Sequence, residues 1–392
     1  MAWAGEAAES GFPMGDHEAS PHIVITSDAV GGVWTHTREL AVGLRHRGWR
    51  VTVAVFGPWA GGQGSAWAEA CGVTVWHGGG GLEWMAGAEE EVAAGQQRLR
   101  KLVQALRPDV LHANQFAAAA ARAPTACLLA VHSDVVSWWR AVHGCAPPCT
   151  RFTAFYEGMA RAGLAAASLV VTPTAAARDG LRASFHNNGS SGGELAVIPN
   201  GMGGEWGGAK KRGYAAAAGR LWDEGKQLRI LWRSGWALPV RIAGPREAPG
   251  NGAAARADWG PAPPGVQWVG NLAPPDMQRL LAGAEVFIVP SRYEPFGLGA
   301  LEAARHGCAL LLNDIPSLRE VWGDAAAYFA RDDAVALGRE LQQLAAQPSR
   351  RQRLARAAAR RARERYGREL MVRRYLAAYA RVMGNARAGA RA

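Results

Sequence analysis

The chain has 392 residues, 49% of them hydrophobic, and a formal net charge of +11; this length exceeds one hydrophobic core and points to two domains of roughly 180 residues each. Apolar runs such as Ala126 to Val131 and Val286 to Pro290 fall far short of the roughly 18 to 20 residues that a membrane-spanning helix needs. The charge is local, with fourteen arginines against Glu364 and Glu369 between residues 350 and 391, and no zinc-finger, helix-turn-helix or RNA-stacking signature accompanies it, which argues against a nucleic-acid partner.

Residues 1–20 have neither a basic start nor an apolar stretch, so they read as a disordered leader rather than a signal peptide. His22 to Thr26 then reads as a strand, Ser27 to Gly32 as a glycine turn, and Val33, Thr37, Leu40, Ala41 and Leu44 as one face of a helix. Val51, Val53 and Val55 alternate as a second strand. The rhythm continues with strands near Val73 to Trp76, Val110 to Ala113, Cys127 to Val131, Leu169 to Thr172 and Leu195 to Ile198. Helices are expected near Val92 to Leu106, Phe152 to Ala166 and onward from Thr174, and a polar loop at His186 to Gly193.

A linker at 199–213 closes this first domain, 21–198, and a second set of strands and helices fills 214–366. Its strands are expected at Tyr214 to Ala218, Val240 to Ala243, Val266 to Val269, Val286 to Val289, Ala309 to Leu312 and Ala327 to Phe329. Helical patterns follow at about Asp333 to Gln347, Ser349 to Arg365 and Glu369 to Met383, the last within a segment 367–385 that precedes a tail, 386–392. Strictly alternating strands and helices imply two doubly wound α/β domains with parallel sheets, whose ligands bind beyond the carboxyl ends of the strands. One stretch resists this pattern: a helix of ten or more residues should follow Lys226, yet Leu228 to Leu238 carries no clean apolar stripe.

Five scattered cysteines fit reduced thiols in a cytoplasmic enzyme, and Cys145 and Cys149 beside His143 lack the spacing and second ligand pair of a zinc site. The arginine-rich end is open to two readings, a solvated helix face or a peripheral contact with anionic membrane.

Chemistry concentrates in Pro290-Ser291-Arg292-Tyr293-Glu294-Pro295-Phe296-Gly297-Leu298-Gly299-Ala300-Leu301-Glu302. A strand ends, a loop presents Glu294, and a helix opens at Phe296-Gly297-Leu298, where bare backbone N–H groups and the positive dipole end suit a phosphate. Glu302, one and a half turns on, lies within reach of a ribose diol, so the two glutamates bracket a diphosphate-linked sugar.

This segment, with Asp314-Ile315-Pro316-Ser317-Leu318-Arg319-Glu320 after it, resembles the retaining glycosyltransferases of GT-B fold, family 4 type, whose signature is two glutamates separated by seven residues. The resemblance implies a metal-independent, anomer-retaining transfer of a hexose from a nucleoside-diphosphate sugar, a UDP or GDP sugar, with no further cofactor. It implies Glu294 and His132 as catalytic residues, Glu302 on the ribose, and Gly31 and Gly32 beside the donor diphosphate, although a Gly-Gly pair alone is also a plain tight turn. Arg220 and Lys226 are similar to the family's phosphate-binding pair, with five intervening residues where four are more usual. Two fixed cations can neutralise a departing diphosphate. The final helix resembles one that crosses back to brace the first domain. Acceptor recognition is expected on the first domain, where Asp134, Trp138, Trp139 and Arg140 follow His132 as platform or as core; the acceptor could be a sugar, glycan, lipid or small molecule. Two alternatives stay open, a sugar-nucleotide epimerase of the same shape and an inactive binding homologue; an oxidoreductase is disfavoured, because no carboxylate ends the strand Val51 to Val55.

Overall fold

The computed structural model describes residues 20–28, 31–57, 65–185, 194–204, 210–248 and 259–389. The leader and the polar loop 186–193 expected from sequence lie outside these, apart from Ser20.

The first domain alternates β1 (His22–Asp28), α1 (Gly32–Arg45), β2 (Arg50–Phe56), α2 (Ser65–Ala70), β3 (Thr74–Gly79), α3 (Glu89–Leu106), β4 (Val110–Ala113), α4 (Phe116–Ala120), β5 (Ala126–Ala130), α5 (Val135–His143), α6 (Arg151–Ala166), β6 (Leu169–Thr172), α7 (Ala175–Phe185) and β7 (Leu195–Val197). The second runs β8 (Ala215–Ala218), β9 (Val240–Ala243), β10 (Val266–Gly270), α8 (Pro274–Gly283), β11 (Val286–Val289), α9 (Leu298–Arg305), β12 (Ala309–Asn313), α10 (Pro316–Trp322), β13 (Ala327–Phe329), α11 (Ala334–Ala346) and α12 (Pro348–Arg365), and the chain closes with α13 (Arg368–Gly389).

Every strand pairing within the two sheets is parallel. The strand orders are β3-β2-β1-β4-β5-β6-β7 and β10-β9-β8-β11-β12-β13. Central strands are buried on both faces, which is why β1 reads HIVITSD and β11 VFIV without alternation. The order reverses between β1 and β4 in one sheet and between β8 and β11 in the other, so each domain opens a crevice there, at the carboxyl ends of its strands. This is the GT-B architecture expected from sequence.

Met371, Val372, Tyr375, Ala378, Tyr379 and Val382 of α13 are buried in the core of the first domain, against Leu40, Leu44, Val110 and Leu128. The last helix therefore does cross back, and it continues to Gly389, beyond the 385 expected. The helix expected after Lys226 is absent. Two 3-10 turns, Glu224–Lys226 and Leu228–Leu231, stand in its place. Leu228 and Leu231 are buried under the sheet, Trp236 Nε1 donates to the Leu231 carbonyl at 3.0 Å, and Arg246 lies over the Trp232 ring at 5.3 Å. The segment thus buries its apolar groups by clustering tryptophans rather than by a helical stripe.

Candidate active site

The crevices of the two domains meet. On the second domain, β8 delivers Arg220 and the following turn delivers Lys226, while β11 delivers the loop bearing Glu294. Lys226 Nζ donates to Glu294 Oε2 at 2.6 Å, and Ser291 Oγ donates to the same oxygen at 3.2 Å. Ser317 Oγ holds the Glu294 carbonyl at 2.5 Å, which fixes the loop at its centre. Gly297 then turns into α9 with φ 90°, a conformation that favours glycine, and α9 has no side-chain cap.

The start of α1 mirrors this arrangement. Gly31 has φ 68°, the helix again lacks a side-chain cap, and a Cβ on Gly32 would lie 3.3 Å from Leu298 Cδ1. Two uncapped helix starts therefore face one another across the cleft, each with orphan N–H groups and a positive dipole end. With Arg220 and Lys226 nearby, the arrangement suits a diphosphate. The Phe296 ring is 3% exposed and packs edge-on to Tyr366 at 5.3 Å, so only its backbone is available to a ligand.

Arg220 does not stand alone. Its Nη2 and Nε donate to Asp223 Oδ2 at 2.5 and 3.2 Å, and its guanidinium lies 5.1 Å from the Trp222 ring. Burial penalises the Asp223 carboxylate, but Arg220 and Lys226 outweigh that and hold its pKa below the ordinary value. Glu302 sits at the cleft among Arg305, Glu39 and Arg38; burial, with Glu39 adding to it, pushes its pKa up to about 7.

His132 follows β5 as expected, and it belongs to a cluster that the sequence did not announce. Asn114 Nδ2 donates to the Thr26 carbonyl at 2.7 Å, so its Oδ1 must face the histidines, where His132 Nε2 lies at 2.9 Å and His112 Nε2 at 3.1 Å. An amide oxygen only accepts, so both histidines carry their proton on Nε2. Tyr379 of the crossing helix then donates to His112 Nδ1, 2.6 Å away. His36 lies beside His132, the rings tilted at 56° with centroids 4.4 Å apart. Burial holds His132 at about 4 and, with His132 adding to it, His112 at about 3; His36 is depressed well below its ordinary value by the same cause. All three are neutral near pH 7. The one signal for Asn114 and His112 was their place at the end of β4, the strand beside the crevice.

The expected acceptor-side residues lie on or before α5. Asp134 is 5% exposed and caps that helix, accepting from the Ser137 N–H at 2.7 Å. Trp139 packs on His143 at 4.2 Å, and Arg140 donates to the Ala183 carbonyl at 3.1 Å. Trp138 turns to the other domain, its Nε1 donating to Asp223 Oδ1 at 3.0 Å. Further contacts join the domains: Tyr293 OH accepts from the Asp134 N–H at 3.1 Å, Thr174 Oγ1 donates to the Pro295 carbonyl at 2.8 Å, and Glu320 accepts from the Ala175 and Ala176 N–H groups at 2.7 and 2.9 Å. Glu39 of α1 pairs with Arg368 at 2.6 Å. Among the described residues no group of three or more His, Cys, Asp or Glu could hold a metal ion, and no helix is long and apolar enough to cross a membrane.

Comparison with known proteins agrees with this geometry. Residues 30–202 match the family model Glycosyltransferase Family 4, and residues 255–361 match Glycosyl transferases group 1. The chain is 37% identical over 95 residues to a glycogen synthase of Mycobacterium tuberculosis, covering 24% of this chain and 23% of that protein. It is 35% identical over 78 residues to O-antigen chain mannosyltransferase B of Escherichia coli, covering 20% of each. The matched stretch thus spans less than a quarter of the length of these curated relatives. Among solved structures, sucrose-phosphate synthase of Thermosynechococcus elongatus aligns over 93% of this chain and 100% of that one, with TM-score 0.73 and 16% identity. Anabaena HepE, in complex with UDP and glucose, aligns over 91% of this chain and 99% of that one, with TM-score 0.68 and 15% identity. Each domain therefore carries glycosyltransferase sequence, on a GT-B fold.

Proposed function

We propose that this chain, whose two domains each match a glycosyltransferase model, transfers a hexose from a nucleoside-diphosphate sugar to an acceptor bound on the first domain, with retention of anomeric configuration. The observation that carries the reading is the convergence of Arg220, Lys226 and two uncapped helix starts beside Glu294. A diphosphate placed there meets fixed cations and oriented N–H groups, which stabilise it as it leaves and supply the charge that a divalent ion would otherwise provide. Metal-independent transfer follows from that division of labour.

Glu294 then faces the sugar. Its carboxylate stabilises positive charge developing at the anomeric carbon and orients ring hydroxyls, while the acceptor hydroxyl attacks from the face the diphosphate leaves. Neutral His132, whose Nε2–H is spent on Asn114, offers Nδ1 as an acceptor for a sugar hydroxyl. Glu302 takes the ribose. The complex of HepE with UDP and glucose supports a nucleotide-sugar donor. The exposed arginines Arg353, Arg356 and Arg360 on one face of α12 support a peripheral contact with anionic lipid; co-sedimentation with phosphatidylglycerol vesicles but not with phosphatidylcholine vesicles is expected.

The test is release of nucleoside diphosphate from a panel of UDP- and GDP-hexoses. Release that depends on an added acceptor, in the presence of EDTA, with proton NMR showing a product anomer like that of the donor, is the expected result. Interconversion of the sugar without acceptor would favour an epimerase, and binding without turnover an inactive homologue.

A further inference from the structure

The spacing between Arg220 and Lys226 is one residue longer than in the family it resembles, and the structure shows what occupies that interval. Gly225 lies under the indole of Trp138: a Cβ at this position would come within 2.4 Å of Trp138 Nε1 and 2.9 Å of Trp138 Cδ1. Asp223 Oδ1 would follow at 3.0 Å; the backbone needs no left-handed conformation, so glycine is required here chiefly by the close approach of a side chain from the other domain.

That indole N–H donates to Asp223 Oδ1 at 3.0 Å, and the Gly225 N–H donates to the same oxygen at 2.9 Å. The other carboxylate oxygen, Oδ2, takes Arg220 through Nη2 and Nε. One edge of the guanidinium is thereby fixed, and Nη1 with the second Nη2 proton is left for a ligand; Arg220 remains 34% exposed. The Gly225 carbonyl in turn accepts from the Arg292 N–H at 2.8 Å and the Tyr293 N–H at 3.3 Å, which ties the turn to the loop bearing Glu294. Tyr293 reaches back to the Asp134 N–H, at the start of the helix that carries Trp138.

We propose that Trp138 is a positioning residue for the donor site, supplied by the acceptor domain: seated on Gly225, it holds Asp223, and Asp223 sets the guanidinium of Arg220 toward the donor diphosphate. Alignment of the diphosphate cation then depends on closure of the two domains, because an open cleft leaves Asp223 Oδ1 held by the Gly225 N–H alone and the Asp223–Arg220 pair less firmly fixed. The inference rests on the reading of Arg220 as a diphosphate ligand, but its geometric half can be tested without any donor.

The experiment compares wild type with Trp138→Phe, Trp138→Ala, Gly225→Ala and the double variant, by small-angle X-ray scattering and by donor KM and kcat. Trp138→Phe keeps the ring and loses the donor, and is expected to raise donor KM by about tenfold, the scale of one hydrogen bond to a charged group. Gly225→Ala is expected to open the cleft, seen as a larger radius of gyration, and to raise donor KM similarly. The decisive comparison is the double variant: with Trp138 already alanine, the methyl at position 225 meets no indole and keeps only its 3.0 Å contact with Asp223 Oδ1, so Gly225→Ala should open the cleft no further in that background and should raise donor KM by less than it does with Trp138 in place. Gly225→Ala effects that are the same in both backgrounds, or an unchanged donor KM in Trp138→Phe, would overturn the proposal. If no variant, wild type included, turns over any donor, the transferase reading fails, while the scattering pattern still decides whether Trp138 and Gly225 govern closure.

Discussion

Replacing Glu294 with glutamine separates the two tasks assigned to the site. The carboxylate is 15% exposed and lies 2.6 Å from Lys226 Nζ, itself 23% exposed. At that separation opposite charges attract by roughly 6 kcal/mol at an effective dielectric of 20, before desolvation is subtracted. Neutralising Glu294 leaves Lys226 freer for an incoming diphosphate. The nucleoside diphosphate should therefore bind the variant as tightly as wild type or up to about tenfold tighter, a gain of up to about 1.4 kcal/mol. Turnover should fall by about a hundred- to a thousandfold, the usual scale for removing one preorganised group at the reacting centre. Calorimetric titration reads the first quantity and acceptor-dependent release of nucleoside diphosphate the second. Lost binding, or undiminished turnover, would refute the division of roles between Glu294 and the two cations.

Three further outcomes follow from the same geometry. Tyr379→Phe removes the hydroxyl that donates to buried His112 without opening a large cavity, and should cost about 1–3 kcal/mol in urea unfolding; an unmoved midpoint would show that the hydrogen bond across α13 contributes nothing. Gly297→Ala forces a side chain into φ 90° with Leu318 Cδ2 only 3.2 Å away, and should lower the melting temperature by an amount equivalent to about 1–2 kcal/mol while weakening nucleoside diphosphate binding. The folded pKa of Glu302, about 7, exceeds the ordinary 4.5, so the stability it contributes is fully present below pH 4.5 and lost as pH rises through 7. Glu302→Gln does not titrate, and relative to wild type it should gain about 3 kcal/mol in stability between pH 4.5 and pH 8; parallel stability curves for the two proteins would contradict the burial argument.

Much of this fold is written in local pattern. Continuous apolar strands and amphipathic helices place the elements of both sheets within a few residues, because buried parallel strands and two-faced helices impose different periods on the chain. Glu294 and Glu302 are readable because a strand end, a glycine and a helix start lie in one short segment. What escaped is non-local. Asp223 becomes informative only when Trp138 arrives from the other domain, and His36, His112 and Asn114 are scattered residues until α1, β4 and α13 are packed together. The 3-10 segment after Lys226 hid for another reason: its apolar groups are satisfied by contacts of Trp232 and Trp236 with side chains and backbone rather than by any helical period. Asp134, expected toward the acceptor, is spent on a helix cap, a use that its place just before Val135 also allowed.

The central claim is that Arg220 and the facing helix starts hold a nucleoside diphosphate. Thermal unfolding of wild type and Arg220→Ala with UDP, GDP or ADP, each with EDTA, tests it most directly. A ligand at a hundred times its dissociation constant adds about 2.7 kcal/mol to the native state. One of the three should raise the melting temperature of the wild type and leave that of Arg220→Ala nearly unmoved; equal stabilisation of both proteins, or of neither, would contradict the account.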